Sequence, residues 1–294
     1  MTLAAKLTET RALINQELGL LLPVPAGREA RLVEAMRYSA IGTGKALRPF
    51  LTLTVGDMLN VNRQTAVRIG VAIEMLHTYS LIHDDLPAMD NDTLRRGKPT
   101  NHIQFDEATA ILSGDALQAR AFEILSEPET SPDGSVRADL VRALAHAAGM
   151  QGMVAGQMLD LIGETQPLNL EEIEQMQGNK TGALLRFSCV APAIAARADD
   201  TVVQALDDYA RAIGILFQIT DDILDVVGDT NMVGKTLGKD AAAHKSTFVS
   251  LLGLEKARAL VVSLSDRARL ALEPFGERAD ILHQVITFMV ERKR

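Results

Sequence analysis

The chain has 294 residues, 47% of them apolar, 4% aromatic and 23% charged, with a formal net charge of −8. That length and apolar content can bury a sizeable core, and the acidic balance argues against a nucleic acid as partner. The single cysteine, Cys189, excludes an internal disulfide; it lies in an apolar stretch as a structural thiol and fits a reducing cytoplasm. Richness in Ala and Leu with few aromatics favours helices packed on helices. No Pro/Gly/Ser-rich linker divides the chain, so one all-α domain over residues 1–294 is expected.

Residues 2–20 have helical apolar spacing, and their scattered charges rule out the apolar core of a signal peptide. After the breaker Pro23-Val24-Pro25-Ala26-Gly27 a second packing helix is expected over 28–40. Next comes Gly42-Thr43-Gly44-Lys45-Ala46-Leu47-Arg48-Pro49, with Lys45 and Arg48 at the opening of another helix. Cations are unfavourable at that end of a helix dipole, so an anion there would be welcome. Residues 64–86 are too continuously apolar for a surface element and read as a central helix, with His77 two turns before Asp84 on one face. Glu74-Met75-Leu76-His77 fits the ExxH pattern of di-iron bundles, but no second ExxH follows, and the cations beside every ligand cluster suit an anionic substrate better.

Further helical patterns run over 106–127 and 135–162, separated by a solvent loop at 127–134. Lys180 and Thr181 precede an apolar helix containing Pro192, and a strong helix spans 209–227. Residues 228–240 hold three glycines without apolar periodicity and read as a loop. Helical runs with breaks then lead to a basic end, Glu291-Arg292-Lys293-Arg294. Arg186 interrupts the longest apolar run before about 18 residues, so no membrane span is expected.

Two aspartate clusters carry the chemistry. Asp84, Asp85, Asp90 and Asp92 fall within nine positions, followed at once by Arg95 and Arg96. Carboxylates this close repel one another unless a cation sits between them, and oxygen-only ligands select a hard ion such as Mg²⁺. Asp84 and Asp90 would lie roughly 240° apart on an unbroken helix, so the helix is expected to end or bulge near Pro87 and bring Asp90 round. The second cluster places Gly214, Gln218, Asp221 and Asp225 on one stripe of a helix, with Asp222 beside it. Unpaired aspartates among Ile213, Leu216, Ile219 and Leu224 would be costly, which implies a shared polymetal site.

DDLPAMD at 84–90, RRG at 95–97, FQITDDILD at 217–225, GKALRP at 44–49, KTG at 180–182 and GKT at 234–236 together resemble the trans-isoprenyl diphosphate synthases, most closely the bacterial farnesyl type. The likeness runs over most of the chain, weakening at both ends. It implies a large helical bundle around a central cavity, a homodimer, and roughly three Mg²⁺ held by Asp84, Asp90 and Asp221 with Asp85, Asp222 and Asp225 in support. Isopentenyl diphosphate falls to Lys45, Arg48, His77 and Arg96. The allylic diphosphate falls to Arg95, Lys180, Gln218 and Lys235, with Thr181 facing the developing cation. Gly152, Gly156, Gln157 and Asp160 resemble the family's GxxxGQxxD helix, a packing element. Tyr79, an aromatic five positions before Asp84 with small Ser80 beside it, resembles the floor that stops growth at fifteen carbons; a geranylgeranyl synthase is the alternative product reading. Asn91 departs from close relatives, which often carry another Asp.

Three other readings compete. A class I terpene cyclase would carry Asn or Asp, then Ser or Thr, then Glu in its second motif, where this chain has a second DDxxD. A noncatalytic partner subunit tends to lose one motif, and both are intact. The di-iron bundle lacks its second ExxH.

Overall fold

The computed structural model describes residues 2–42, 44–227 and 246–291. They fall into two compact units, residues 1–144 with 191–197 and residues 145–190 with 198–294. The first contains α1 (Leu3–Leu21), α2 (Ala30–Ala40), α3 (Leu47–Met58), α4 (Arg63–Asp84), a hairpin of β1 (Leu94–Arg95) and β2 (Lys98–Pro99), α5 (Asn101–Gln104), α6 (Glu107–Ser126) and most of α7 (Gly134–Ala148). The second contains α8 (Met153–Gly163), α9 (Leu170–Gln177), a π-helical turn (Gly178–Gly182), most of α10 (Ala183–Ala195), α11 (Asp200–Val227), α12 (Phe248–Leu252), α13 (Leu254–Leu272), a 3₁₀ segment (Glu273–Ala279) and α14 (Asp280–Glu291). The expected all-α fold is what the chain adopts. Among the described residues no helix is long and apolar enough to cross a membrane.

Short polar residues start the helices as capping chemistry requires. The Asn62 side chain accepts from the N–H groups of Gln64 and Thr65 at the head of α4, and Asp106 accepts from Thr109 at the head of α6. Asn169 and Glu172 form a reciprocal capping box on α9. In the first unit α4 packs against α3 and α6, and in the second α11 packs against α13 and α14. From Thr65 to Leu76 every residue of α4 is buried, so the helix is central, as its unbroken apolar run implied.

Two expectations are corrected. The helical pattern over 135–162 is two helices, because Gly152 takes a non-helical conformation (φ −135°, ψ −131°) and a side chain there would strike the Ala147 carbonyl. Residues 127–134 are not merely a solvent loop: Thr130 is fully buried and Ser131 nearly so. The reason lies on α4, where the buried Arg68 needs partners. Its Nε donates to Thr130 Oγ1 at 2.8 Å and its Nη2 pairs with Glu127, whose other oxygen accepts from Arg120 at 2.6 Å.

Burial pushes the Glu127 carboxyl up, but the hydrogen bonds and charges of Arg120 and Arg68 outweigh it and hold the group below its usual range. A depressed folded-state pKa means that this stabilisation is present above the unfolded value of about 4.3 and is lost as pH falls through the folded value. We expect Glu127→Ala to destabilise the fold by about 3 kcal/mol, since it leaves Arg68 buried without its carboxylate. Urea unfolding monitored by circular dichroism checks this; an unchanged midpoint would remove the network from the account.

Candidate active site

In the first unit the aspartate cluster forms where α4 stops. The chain turns through Asp85–Met89, and the Asp90 N–H donates to the Asp84 carbonyl at 2.9 Å. This is the return that the Asp84–Asp90 spacing demanded, and it lets residues six apart share one end of a helix. Asp85 takes a different part. It is 3% exposed, and its carboxylate accepts three hydrogen bonds from the Arg95 guanidinium at 2.6–2.9 Å. Burial pushes the Asp85 carboxyl up, Arg95 pulls it back, and the like charges of Asp92 and Asp90 push it up again. Asp85 thus holds Arg95, while Asp84 and the exposed Asp90 are the motif's remaining carboxylates.

The hairpin explains how adjacent arginines can serve different ends. Leu94 pairs with Pro99 and Arg95 with Lys98 across a two-residue turn, in which Arg96 (φ 53°) and Gly97 (φ 78°) are both left-handed. That is the turn whose twist suits a tight hairpin, and it requires positive φ at both central residues. The Tyr38 hydroxyl donates to the Pro99 carbonyl at 2.8 Å, and the Asn101 amide donates to the Ala35 carbonyl and Ser39 Oγ, so the hairpin is fastened to α2. No strand was expected from the sequence. The signal was the Arg-Gly pair, which is weaker than Asn-Gly as a turn marker.

Arg95 reaches Asp85, whereas Arg96 lies against Gly44, where a side chain would collide with its guanidinium. Ala46 is left-handed (φ 49°) at the start of α3, which brings Arg48 into the first turn of that helix. Arg48 has its pKa pushed down to about 10 by burial; Glu74 opposes this and Arg96 adds to it. Its Nε is buried without a hydrogen-bond partner among the described residues. Burial and then Arg48, Arg96 and Arg95 hold His77 well below the usual imidazole range, so it is neutral. Arg48, His77 and Arg96 thus act on one another electrostatically, and Lys45 is exposed just ahead of α3.

Tyr79 is 6% exposed between α4 and α6, its ring edge-on to His83 at 5.5 Å and its hydroxyl bonded to Gln118. Ser80 donates to the His77 carbonyl at 2.8 Å. Gly114 lets α6 approach, since a side chain there would occupy the space of the His83 ring.

In the second unit Lys180 and Thr181 lie in the π-helical turn, a local widening that often marks functional sites. Lys180 Nζ donates to Asp160 Oδ2 at 2.7 Å. A side chain at Gly156 would strike the Lys180 backbone, and one at Gly214 would crowd Gly182, so both glycines exist for close approach. On α11 the half-buried Gln218, Asp221 and Asp225 keep the spacing read from the sequence. Asp222 is buried and accepts from the Phe248 N–H at 2.9 Å, anchoring α12. Lys235, the loop at 228–240 and the basic residues 292–294 lie outside the described residues.

Each motif thus commits one aspartate to structure and leaves an oxygen-only donor set, which fits a hard divalent ion. Among the described residues no three acidic or histidine groups meet closely enough to hold a metal by themselves. Mg²⁺ typically needs only one or two carboxylates and completes its shell with water and substrate phosphate.

The polyprenyl synthetase family profile matches residues 29–269. The chain is 44% identical over 292 residues to the farnesyl diphosphate synthase of Micrococcus luteus, covering 99% of this chain and 100% of that one. It is also 44% identical to that of Escherichia coli strain K12, with 95% of each covered. A crystal structure of an FPP/GFPP synthase from Zymomonas mobilis superposes with a TM-score of 0.90 at 48% identity over 98% of both chains. With two aspartate motifs and a separate group of cations already in view, these likenesses establish that the chain belongs to the polyprenyl synthetase family and is a trans-prenyltransferase.

Proposed function

We propose that the enzyme condenses isopentenyl diphosphate with dimethylallyl and then geranyl diphosphate, giving (E,E)-farnesyl diphosphate and diphosphate. The observation that carries this reading is the parting of Arg95 from Arg96: one is held at the first aspartate motif, the other joins Arg48 and His77. Two diphosphates need two such anion sites side by side. The farnesyl synthases of Micrococcus luteus and Escherichia coli support the fifteen-carbon product. The FPP/GFPP synthase of Zymomonas mobilis and an Arabidopsis thaliana geranylgeranyl pyrophosphate synthase large subunit, 46% identical, keep a longer product as the second reading.

Asp84, Asp90 and Asp221 would hold Mg²⁺, with Asp225 in support and Asp85 and Asp222 fixing the backbone around them. When bound, the metal neutralises charge that develops on the leaving diphosphate. Arg95, Lys180 and Gln218 hold the allylic diphosphate, and Lys235 would join them. Thr181 and nearby backbone oxygens face the allylic cation as it forms. Lys45, Arg48, His77 and Arg96 hold isopentenyl diphosphate so that its double bond attacks that cation. A proton is then lost to the departing diphosphate, so no protein base is required.

Two copies pair, as the family likeness suggests; on α8 the exposed Val154, Met158 and Ile162 recur every fourth residue, Met150 is exposed in the turn ahead of it, and Ile111 and Leu112 are exposed on α6, apolar side chains available to a partner copy. The lone Cys189 is buried, its thiol pushed up in pKa by burial and by Asp207, which suits a reducing cytoplasm.

Asp84→Ala or Asp221→Ala is expected to lower turnover by at least about a hundredfold with helicity retained, because each removes a charge-stabilising ligand instead of a packing group. A Mg²⁺-dependent rate assay with circular dichroism reads both; near wild-type turnover in either variant would sink the two-motif site. Light scattering should give twice the 31.8 kDa chain mass, and an active monomer would end the pairing claim. Tyr79, locked by Gln118 and His83, is a rigid floor for chain growth. Tyr79→Ala should yield diphosphates of twenty carbons or more at a retained rate, read by chromatography of the labelled product; an unchanged product would place the floor elsewhere.

A further inference from the structure

Every residue from Pro87 to Pro99 is at least partly exposed, yet this stretch carries Asp90, Arg95 and Arg96. Packing cannot fix side chains on so open a segment, so hydrogen bonds must. At its near end the Asp90 N–H donates to the Asp84 carbonyl at 2.9 Å and the Asn91 N–H to the Leu86 carbonyl at 3.1 Å. At its far end two bonds come from one residue: Thr100 donates its N–H to the Thr93 carbonyl at 3.0 Å and its hydroxyl to the Asp92 carbonyl at 2.8 Å. The base of the loop bearing both arginines is thereby closed, two residues from Asp90.

Thr100 is 2% exposed and occupies the N-cap of α5, where a threonine hydroxyl ordinarily accepts from the helix's own N–H groups; here it makes no such bond. Its hydroxyl is engaged elsewhere. The Asp92 carbonyl can only accept, so the single hydroxyl proton goes there, and the His102 Nδ1 lying 3.2 Å from the same oxygen must be a donor to it. The result is a chain of two bonds, from His102 to Thr100 to Asp92, in which each polarises the next. His102 is buried as well, and between the two Asn101 is bound to Ala35 and Ser39 of α2, so the chain stands on a fixed base. We propose that Thr100, oriented by His102, is a positioning residue of the reaction: it holds the open segment so that Asp90 meets Mg²⁺ and Arg95 meets the allylic diphosphate in one geometry. Both side chains act through the Asp92 carbonyl.

The inference rests on the reading that Asp90 holds Mg²⁺ for the allylic diphosphate. Thr100→Val keeps the shape and removes the hydroxyl, whereas Thr100→Ser keeps the hydroxyl. Dimethylallyl diphosphate with Mg²⁺ is titrated calorimetrically, with isopentenyl diphosphate left out so that no condensation occurs. Binding should be about fivefold weaker in Thr100→Val, as the loss of one hydrogen bond implies, and close to wild type in Thr100→Ser. In the metal-free proteins, hydrogen exchange of the Asp90 and Asn91 amides should quicken in Thr100→Val while that of α6 stays as in wild type. Unchanged binding and exchange in Thr100→Val overturn the proposal even if that variant melts at a lower temperature, because a merely structural role gives that pattern. Should Thr100→Val not fold, His102→Leu and His102→Asn decide: leucine removes the donor and should weaken binding, asparagine offers an amide N–H in its place and should restore it, and equal binding by the two refutes the chain. If Asp90→Ala binds dimethylallyl diphosphate with Mg²⁺ as tightly as wild type, the metal reading itself fails, which is a different result from a silent Thr100→Val.

Discussion

A helix buried around its whole circumference can carry a polar group only by supplying it with a partner, and α4 carries Arg68, Glu74 and Thr78 in that condition. Much of the first unit follows from this constraint. Arg68 draws Thr130 and Glu127 inward and so closes the connection between α6 and α7. Glu74 is buried and feels the positive charge of Arg48 and Arg96. At its exposed end the same helix stops and offers carboxylates. The apolar run that makes α4 central thus also gives the site its backing.

The two aspartate motifs share a division of labour that their sequences do not advertise. Each presents adjacent aspartates, and in each the second of the pair is tied to the protein: Asp85 by Arg95, Asp222 by the Phe248 amide. A buried carboxylate with its lone pairs occupied fixes backbone and neighbouring cation, and a neighbour left nearer to solvent can exchange ligands. Both requirements are met within two residues, which accounts for the doubling in each motif.

Much of this was legible in the sequence. Helical spacing and composition identified the helices, and the six-residue separation of Asp84 from Asp90 foretold that α4 ends between them. Gly156, read as a small residue for close approach, meets the Lys180 backbone in the π-helical turn. What escaped was non-local or conformational. Nothing near Thr130 shows that Arg68, 62 residues away, will need its hydroxyl. The hairpin at 94–99 hides because its turn places an arginine in the left-handed region, where glycine or asparagine would have announced it.

That hairpin makes chain length itself a functional quantity. Asp85 and Arg95 are ten residues apart along a path with no helix to absorb slack, and neighbouring side chains on a strand point opposite ways. Deleting one residue between them would offer Arg96 to Asp85 and turn Arg95 away, while adding one would bring Leu94 to that station and leave Asp85 without its arginine. The segment from 86 to 94 is therefore a ruler as much as a loop, and in a comparison of sequences its spacing should say more about the site than the identity of most residues within it.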